Sequence, residues 1–350
     1  MELMKRNKLR ALTITAMSVI ALVSVLAGCG NNSKASNEKP ESDSAAAPAS
    51  EATERPHVTV NVAINGGLSP LLLAKQKGWL EEELKPLNAE VSWSEFQSGP
   101  PLLESLASKR VDLSFLGDGA TISGLSANLP FEVIGLVSDG KLANSIIVPK
   151  DKGVSKVEDL KGKSVAVAKG TTAHVFLLKV LEKHGLSDKD VNLIALQPED
   201  ALPAFETGKV DAWVTWDPYT TKETASGKAT VIAGAEEGIA APVSAIARSE
   251  FAEKNPELVT AFLKVYKQAI DWQNANNDEA VQIYADLKKI DAGVVKALLA
   301  SSAPNLRVYT QEELDAQQKS AELLLSNGFI KNKVSFQDHV AFSYLEKLSQ

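Results

Sequence analysis

Val58-Thr59-Val60-Asn61-Val62-Ala63-Ile64, followed at once by Asn65-Gly66-Gly67-Leu68-Ser69-Pro70, decides the fold class of this 350-residue chain. The first seven residues carry apolar or β-branched side chains at alternate positions and predict a strand. The glycine pair turns the chain, and Ser69 and Pro70 open a helix as N-cap and first helical residue. The same unit recurs. Val91 to Phe96 is a second strand leading into Gln97-Ser98-Gly99-Pro100-Pro101, and Val111 to Leu116 is a third, ending at Gly117-Asp118-Gly119-Ala120. Strands alternating with helices predict an α/β sheet that is largely parallel.

Further along, the pattern restarts. Lys163 to Ala168 is a strand, Gly170-Thr171-Thr172 opens a helix reaching His184, Val191 to Leu196 is a strand, and a helix over Glu199 to Thr207 precedes a strand at Val210. The halves share a faint echo: Pro101 to Ala107 followed by Val111-Asp112 matches Asp200 to Glu206 followed by Val210-Asp211. Two similar α/β lobes with a ligand cleft between them are expected. From Asn255 the chain turns helical. Asn255-Pro256-Glu257 starts a helix whose Leu258, Ala261, Phe262, Val265, Ala269 and Trp272 share one face, read as core. Amphipathic stretches near 279–287, 292–300 and 311–326 should pack back onto the lobes. A chain that builds two lobes and then returns crosses twice, near Ile146 and near Ser244. The expected division is lobe 1 over 57–145, lobe 2 over 146–243, and a return to lobe 1 with C-terminal helices over 244–350.

The N-terminus gives an address. Lys5, Arg6, Lys8 and Arg10 precede an apolar stretch over 11–26, and Leu26-Ala27-Gly28 leads into Cys29, the only cysteine. This is the pattern of a lipoprotein signal peptide over 1–28, cleaved before a lipidated Cys29. The stretch holds Thr13, Thr15, Ser18 and Ser24 and is shorter than the roughly 20 residues of a spanning helix. Residues 29–56, rich in Ser, Ala, Asn, Glu, Lys and Pro without an aromatic, form the expected disordered linker. The chain is therefore expected on the extracytoplasmic face of the cell membrane, held through the Cys29 lipid. Its net charge of −7 becomes −10 once four basic groups and Glu2 leave with residues 1–28. Such a balance disfavours nucleic acid as a partner.

Catalytic patterns are missing. His57, His174, His184 and His339 have no metal-ligand spacing, and Gly162-Lys163-Ser164 lacks the earlier glycine of a phosphate loop, since position 157 is Val157. Asp211 and Asp217, six residues apart along a strand, would sit roughly 20 Å apart, too far for shared acid-base work. No metal, cofactor or enzymatic activity is expected.

Several helix starts should instead converge on one rim beyond the carboxyl ends of the strands, where free N–H groups and dipole ends attract an anion. The candidates are Gly67, Ser69, Ser98, Gly99, Gly117 and Asp118 from lobe 1 and Thr171 and Thr172 from lobe 2, with Lys169 as an added charge. In Val210-Asp211-Ala212-Trp213-Val214-Thr215-Trp216-Asp217-Pro218 the two tryptophans fall on opposite faces of a strand. Trp216, nearer the end, is the expected ligand contact. Asp217 would bind an amine, accept from a neighbouring N–H or cap the helix at Pro218.

Together, Val91 to Gly99 with Pro101-Leu102-Leu103-Glu104, the Gly117-Asp118 turn, Asp159-Leu160-Lys161-Gly162-Lys163 with Val165 to Gly170, and Val210 to Pro218 resemble the aliphatic sulfonate-binding proteins of ABC importers. The resemblance covers roughly 57–270. It implies a type II periplasmic-binding fold, an oxyanion held by backbone amides and hydroxyls, a tryptophan-lined slot for the organic tail, and a membrane permease with its ATPase as partners of a monomer. Relatives on this scaffold bind taurine, nitrate or pyrimidine precursors, and Asp118 or Asp217 would suit an ammonium if either faced the cleft. Leu68 departs from the more polar first loop of that group. The function expected is capture and delivery of a small alkanesulfonate, with a sensory lipoprotein or an enzyme on the same scaffold as the alternatives from other classes.

Overall fold

A computed structural model describes residues 56–141, 143–302 and 304–349. The expected signal peptide, the lipidated Cys29 and the linker up to residue 55 lie outside the described residues.

The first strand β1 (Val58–Asn65) is followed by α1 (Pro70–Lys77), α2 (Trp79–Leu84), β2 (Ala89–Phe96), α3 (Gly99–Ala107), β3 (Leu113–Gly117), α4 (Asp118–Ser126) and β4 (Phe131–Ser138). The chain then enters a second sheet with β5 (Asn144–Pro149), β6 (Ser164–Val167), α5 (Thr172–Lys183), β7 (Asn192–Ala195), α6 (Pro198–Glu206), β8 (Ala212–Trp216), α7 (Tyr219–Ala225) and β9 (Ala229–Ala233). It returns to the first sheet with β10 (Val243–Arg248) and ends in α8 (Ser249–Lys254), α9 (Pro256–Ala275), α10 (Asn277–Lys288), α11 (Ala292–Ser301), α12 (Gln311–Ser326) and α13 (Ser343–Glu346).

The sheets have the orders β2-β1-β3-β10-β4 and β7-β6-β8-β5-β9. These are one order written twice. The expectation of a largely parallel sheet needs one amendment, which is the same in both lobes. β10 runs antiparallel to β3 and β4, and β5 runs antiparallel to β8 and β9. Each is the strand by which the chain arrives from the other sheet, so its direction follows from the crossing. The two crossings touch, with the Ala241 N–H donating to the Asp139 carbonyl at 3.2 Å.

Local chemistry explains the element ends. Ser69 is extended and accepts from the Leu71 N–H at 3.3 Å, with Pro70 in the first helical position as the sequence predicts. Asp112 and Asp211, the shared letters of the two halves, do the same job in both. The Asp112 carboxylate accepts from the Asn61 N–H at 2.9 Å and the Asp211 carboxylate from the Ser164 N–H at 2.9 Å. Each Asp N–H returns a bond of 2.8 Å to the carbonyl of that same residue, pinning the central strand of each sheet to its neighbour, β3 to β1 and β8 to β6.

Both faces of each sheet are covered. In lobe 1, α1, α2, α9 and α10 bury Leu71, Leu73, Leu80, Phe262 and Tyr284 on one face, and α3, α4 and α12 bury Leu102, Leu106, Ile122 and Leu324 on the other. Full burial of one such side chain is worth about 1.5–3 kcal/mol. Lobe 2 is thinner, with Phe176, Leu177, Val180 and Leu181 of α5 against one face and Phe205 and Trp213 against the other. No helix among the described residues is long and apolar enough to cross a membrane.

Candidate functional site

A cavity of about 550 Å³ opens where the carboxyl ends of the parallel strands of the two lobes face each other. Its volume lies within the roughly 300–1,000 Å³ of small-molecule sites. Of the residues expected to line it, Gly67, Ser69, Ser98, Gly99, Gly117, Thr171, Thr172, Trp216 and Asp217 form its wall.

Lobe 1 supplies three helix starts. Gly66 and Gly67 have φ of 59° and 20°, a left-handed turn that lets the β1–α1 loop lie against lobe 2. A Cβ on Gly66 would sit 3.7 Å from Trp216 Nε1, and one on Gly67 would sit 3.3 Å from the Asp217 carbonyl. The starts of α3 at Ser98, α4 at Gly117 and α5 at Thr171 have no side-chain cap. Their hydroxyls are occupied elsewhere. Ser98 Oγ donates to Gln197 Oε1 at 2.7 Å, Thr171 Oγ1 to the Ala168 carbonyl at 2.6 Å, and Thr172 Oγ1 to Asn144 Oδ1 at 3.0 Å. At α4 the first N–H groups are taken, Asp118 donating to the Pro242 carbonyl at 2.9 Å and Gly119 to Asp118 Oδ1 at 2.7 Å. The starts of α3, where Gly99 precedes two prolines, and of α5 are left to offer backbone N–H and the positive end of the helix dipole, an arrangement that takes an anion without a cationic side chain.

Two expected residues lie off the wall. Asp118 is fully buried beneath it, because it is the first residue of α4 and points into the lobe. Its Oδ1 accepts from the Gly119 N–H at 2.7 Å, while its Oδ2 has no partner. Burial pushes the carboxyl up to about 7, against the opposing pull of Lys179 and the Gly119 N–H. It can offer nothing to an ammonium in the cleft. Lys169 is exposed and not part of the cavity wall. The preceding strand ends at Val167, and the left-handed Gly170 then turns the chain into α5.

The tryptophan pair divides as the strand alternation requires. Trp213 is 1% exposed and packs on Phe205 and Tyr219, with centroids 5.9 and 5.3 Å away. Trp216 lies on the cavity wall. Asp217 also lines it, yet its Oδ1 accepts from the Thr221 N–H at 2.9 Å and from Thr221 Oγ1 at 2.7 Å. It holds the first turn of α7.

The remaining wall was not read from sequence. Phe115, Val137, Val243, Tyr266, Leu298 and Leu299 make it mostly apolar, and Ser138 to Lys141 add the crossing segment. Asp139 Oδ1 accepts from the Lys141 N–H at 3.2 Å, and its other oxygen lies 3.4 Å from Lys141 Nζ. These residues come from strand interiors and from α9 and α11, where an apolar letter reads as core whether it faces another side chain or a ligand. Gln273, also on the wall, carried the one usable signal: a polar residue next to the apolar stripe of α9.

The lobes meet along a line of small residues. A Cβ on Gly117 would lie 2.3 Å from Thr172 Cγ2, and one on Gly119 would lie 2.5 Å from the Thr171 carbonyl oxygen. Gln97 Nε2 donates to Glu199 Oε2 at 2.6 Å beside the Ser98–Gln197 bond. These pairs join the β2–α3 loop of lobe 1 to its lobe 2 counterpart between β7 and α6. No group of three or more His, Cys, Asp or Glu suited to a metal occurs among the described residues.

The sequence profile described as NMT1/THI5 like matches residues 65–280. A Bacillus subtilis (strain 168) protein carrying the name aliphatic sulfonates-binding protein is 37% identical, over 94% of this chain and 95% of its own length. The taurine-binding periplasmic protein of Escherichia coli (strain K12) is 32% identical over 76% of this chain and 81% of its own. Among solved structures, the alkanesulfonate-binding protein SsuA from Xanthomonas axonopodis pv. citri, bound to MOPS, superposes with a TM-score of 0.77 at 29% identity, covering 81% of this chain and 98% of that one. The repeated sheet order, the anion-seeking rim between the lobes and these likenesses agree: the chain belongs to the NMT1/THI5-like family and, within it, to the aliphatic sulfonate-binding proteins.

Proposed function

We propose that this protein is the substrate-binding component of an ABC importer, tethered outside the cytoplasmic membrane through a lipid on Cys29, and that it delivers an alkanesulfonate to the permease without chemical change. The observation that carries this reading is the pairing of two surfaces in one cavity. The uncapped starts of α3 and α5, one from each lobe, supply N–H donors at the rim, and apolar side chains form much of the remaining wall. An oxyanion on a hydrocarbon tail satisfies both. Nitrate would leave the apolar wall uncovered. Taurine would bring an ammonium to a wall whose only carboxylates are Asp139 and Asp217. Both already accept from neighbouring N–H groups. The relative named for taurine makes that ligand the comparison to run. Ligand held between the lobes favours their closed arrangement, which supplies the signal a permease can read.

Calorimetry with ethanesulfonate, octanesulfonate, taurine, nitrate and a pyrimidine precursor tests the reading. Alkanesulfonates should bind more tightly than taurine, and at a hundredfold excess over Kd the best of them should raise stability by about 2.7 kcal/mol. A panel in which taurine or nitrate binds and no alkanesulfonate does would overturn it. For the address, metabolic labelling with a palmitate analogue should mark the full-length protein and leave a Cys29→Ala variant unlabelled.

A further inference from the structure

On its α9 side, away from the helix starts, the cavity wall carries a further polar group. Gln273 on α9 is 3% exposed and forms part of the wall. Its Oε1 accepts from the Tyr284 hydroxyl at 2.7 Å, and Tyr284 is itself fully buried. That bond fixes the amide. With Oε1 committed to Tyr284, the Nε2 hydrogens are left without a partner among the described residues. The β10, α9 and α11 part of the wall also holds Val243, Tyr266, Leu298, Leu299 and Ser302, whose only side-chain oxygens are the Tyr266 hydroxyl and the Ser302 hydroxyl, the latter donating to the Leu299 carbonyl at 3.4 Å.

The position of Gln273 sets a length. Tyr266 lies seven residues earlier on the same helix face, beside Phe115 at 6.2 Å between centroids and with its hydroxyl neighbouring Ser69 of the rim. Two helical turns separate it from Gln273, a rise of about 10 Å. A two-carbon tail anchored at the rim stops well short of this amide.

We infer that Gln273 reads the far end of the ligand, and that the preferred substrates are sulfonates with an extended tail ending in an uncharged hydrogen-bond acceptor, such as an ether, hydroxyl or carbonyl oxygen. This rests on the sulfonate reading above and narrows it. A plain hydrocarbon tail of the same length covers the Nε2 hydrogens without bonding them, and a buried donor left so weakens binding by about tenfold. An ammonium at the end of an equally long tail would set donor against donor, whereas taurine, with two carbons, is too short to reach the amide at all.

The test compares two probes of equal length, octanesulfonate and ω-methoxyhexanesulfonate, on the wild type and on Gln273→Met, which keeps the volume and removes the donors. On the wild type the ether should bind about tenfold more tightly. On Gln273→Met the two should bind alike, with octanesulfonate held at least as well as by the wild type. The wild-type comparison needs no variant, and ligand-free melting of Gln273→Met shows whether the Tyr284 contact was lost with the fold. Octanesulfonate binding the wild type as tightly as the ether, or an ether advantage surviving in a folded Gln273→Met, overturns the inference and leaves the sulfonate reading standing. Failure of both probes alongside binding of nitrate or a pyrimidine overturns both together.

Discussion

The two lobes have one strand order and unequal duties. Lobe 1 is the thicker, because α8 to α13 return to it, and it supplies the apolar depth of the cavity through Phe115, Tyr266, Leu298 and Leu299. Lobe 2 supplies the Thr171-Thr172 helix start and Trp216 at the mouth. A duplicated sheet thus accounts for the symmetric rim, where both lobes bring helix N-termini to one cavity. The helices added to one copy account for much of the asymmetric part, its apolar wall. On the proposed reading, what both lobes share suits the headgroup, and what lobe 1 adds suits the rest of the ligand.

The sharpest way to break the equivalence is at Asp112 and Asp211, which occupy matching positions. Asp112 is 2% exposed and its Oδ1 is 2.5 Å from Arg248 Nη2, so Asp112→Ala leaves a mostly buried guanidinium with the more exposed Glu250, at 3.1 Å, as its remaining partner and strips two hydrogen bonds from Asn61. A loss of about 3–5 kcal/mol is expected. The Asp211 side chain is 26% exposed, and its ion pair is a 3.6 Å contact with the partly exposed Lys152. There Asp211→Ala should cost about 1–2 kcal/mol. Denaturant unfolding of both variants measures the difference. Equal losses would show that the Arg248 pair adds nothing to the clamp that the lobes have in common.

A second test separates the rim from the lobes that carry it. Gly119 is helical, so alanine suits its backbone and improves local helix propensity. Its Cβ nevertheless falls 2.5 Å from the Thr171 carbonyl oxygen and 2.9 Å from the Thr171 carbonyl carbon, both backbone atoms of the other lobe. Gly119→Ala should therefore weaken sulfonate binding by about a hundredfold, or about 2.7 kcal/mol, and leave ligand-free melting nearly unchanged. Unaltered affinity in calorimetry would mean that the lobes need not approach this closely to hold ligand.

These contrasts also mark how far the sequence could be read. Strand alternation and turn chemistry gave the units around Gly66-Gly67, Ser98-Gly99 and Gly170-Thr171, because period, cap and glycine are local properties. β5 and β10 were not read as strands, since their place in a sheet depends on the chain returning from the other lobe. The expected rim residues line one cavity, but the hydroxyls expected to face a ligand are spent elsewhere, those of Ser98 and Thr172 on Gln197 and Asn144. Those partners lie 99 and 28 residues away in sequence, and no local pattern names them. Asp118 misled for a related reason. An acid at a helix start reads the same whether it faces a cleft or a core.

The smallest expected effect concerns how the lobes are held together at different pH. His174 of α5 lies edge-on to Phe329, which belongs to the lobe 1 core cluster, with centroids 4.7 Å apart. Its Nδ1 accepts from the Gly170 N–H at 3.3 Å, which places the ring proton on Nε2. Burial, aided by Lys169 and opposed by Asp188, pushes the imidazole down to about 4 from its ordinary value of 6.5. The unfolded chain takes up this proton below pH 6.5 and the folded chain does so only near 4. Stability is therefore lost as pH falls through that window and is fully present above it, a change of about 2 kcal/mol between pH 7 and 5. His184 works in the opposite sense. Its partners Glu158 and Glu237, at 3.2 and 3.0 Å, raise its pKa, so its contribution is present in acid and fades as pH rises. The wild-type profile mixes the two, and the difference between wild type and His174→Gln isolates the first. Gln keeps an acceptor for Gly170 and cannot be charged, so guanidinium unfolding at pH 7 and 5 should show a shallower acid loss in the variant. Identical acid losses would mean that His174 meets water when the lobes are together, and that Phe329 does not seal the contact between them.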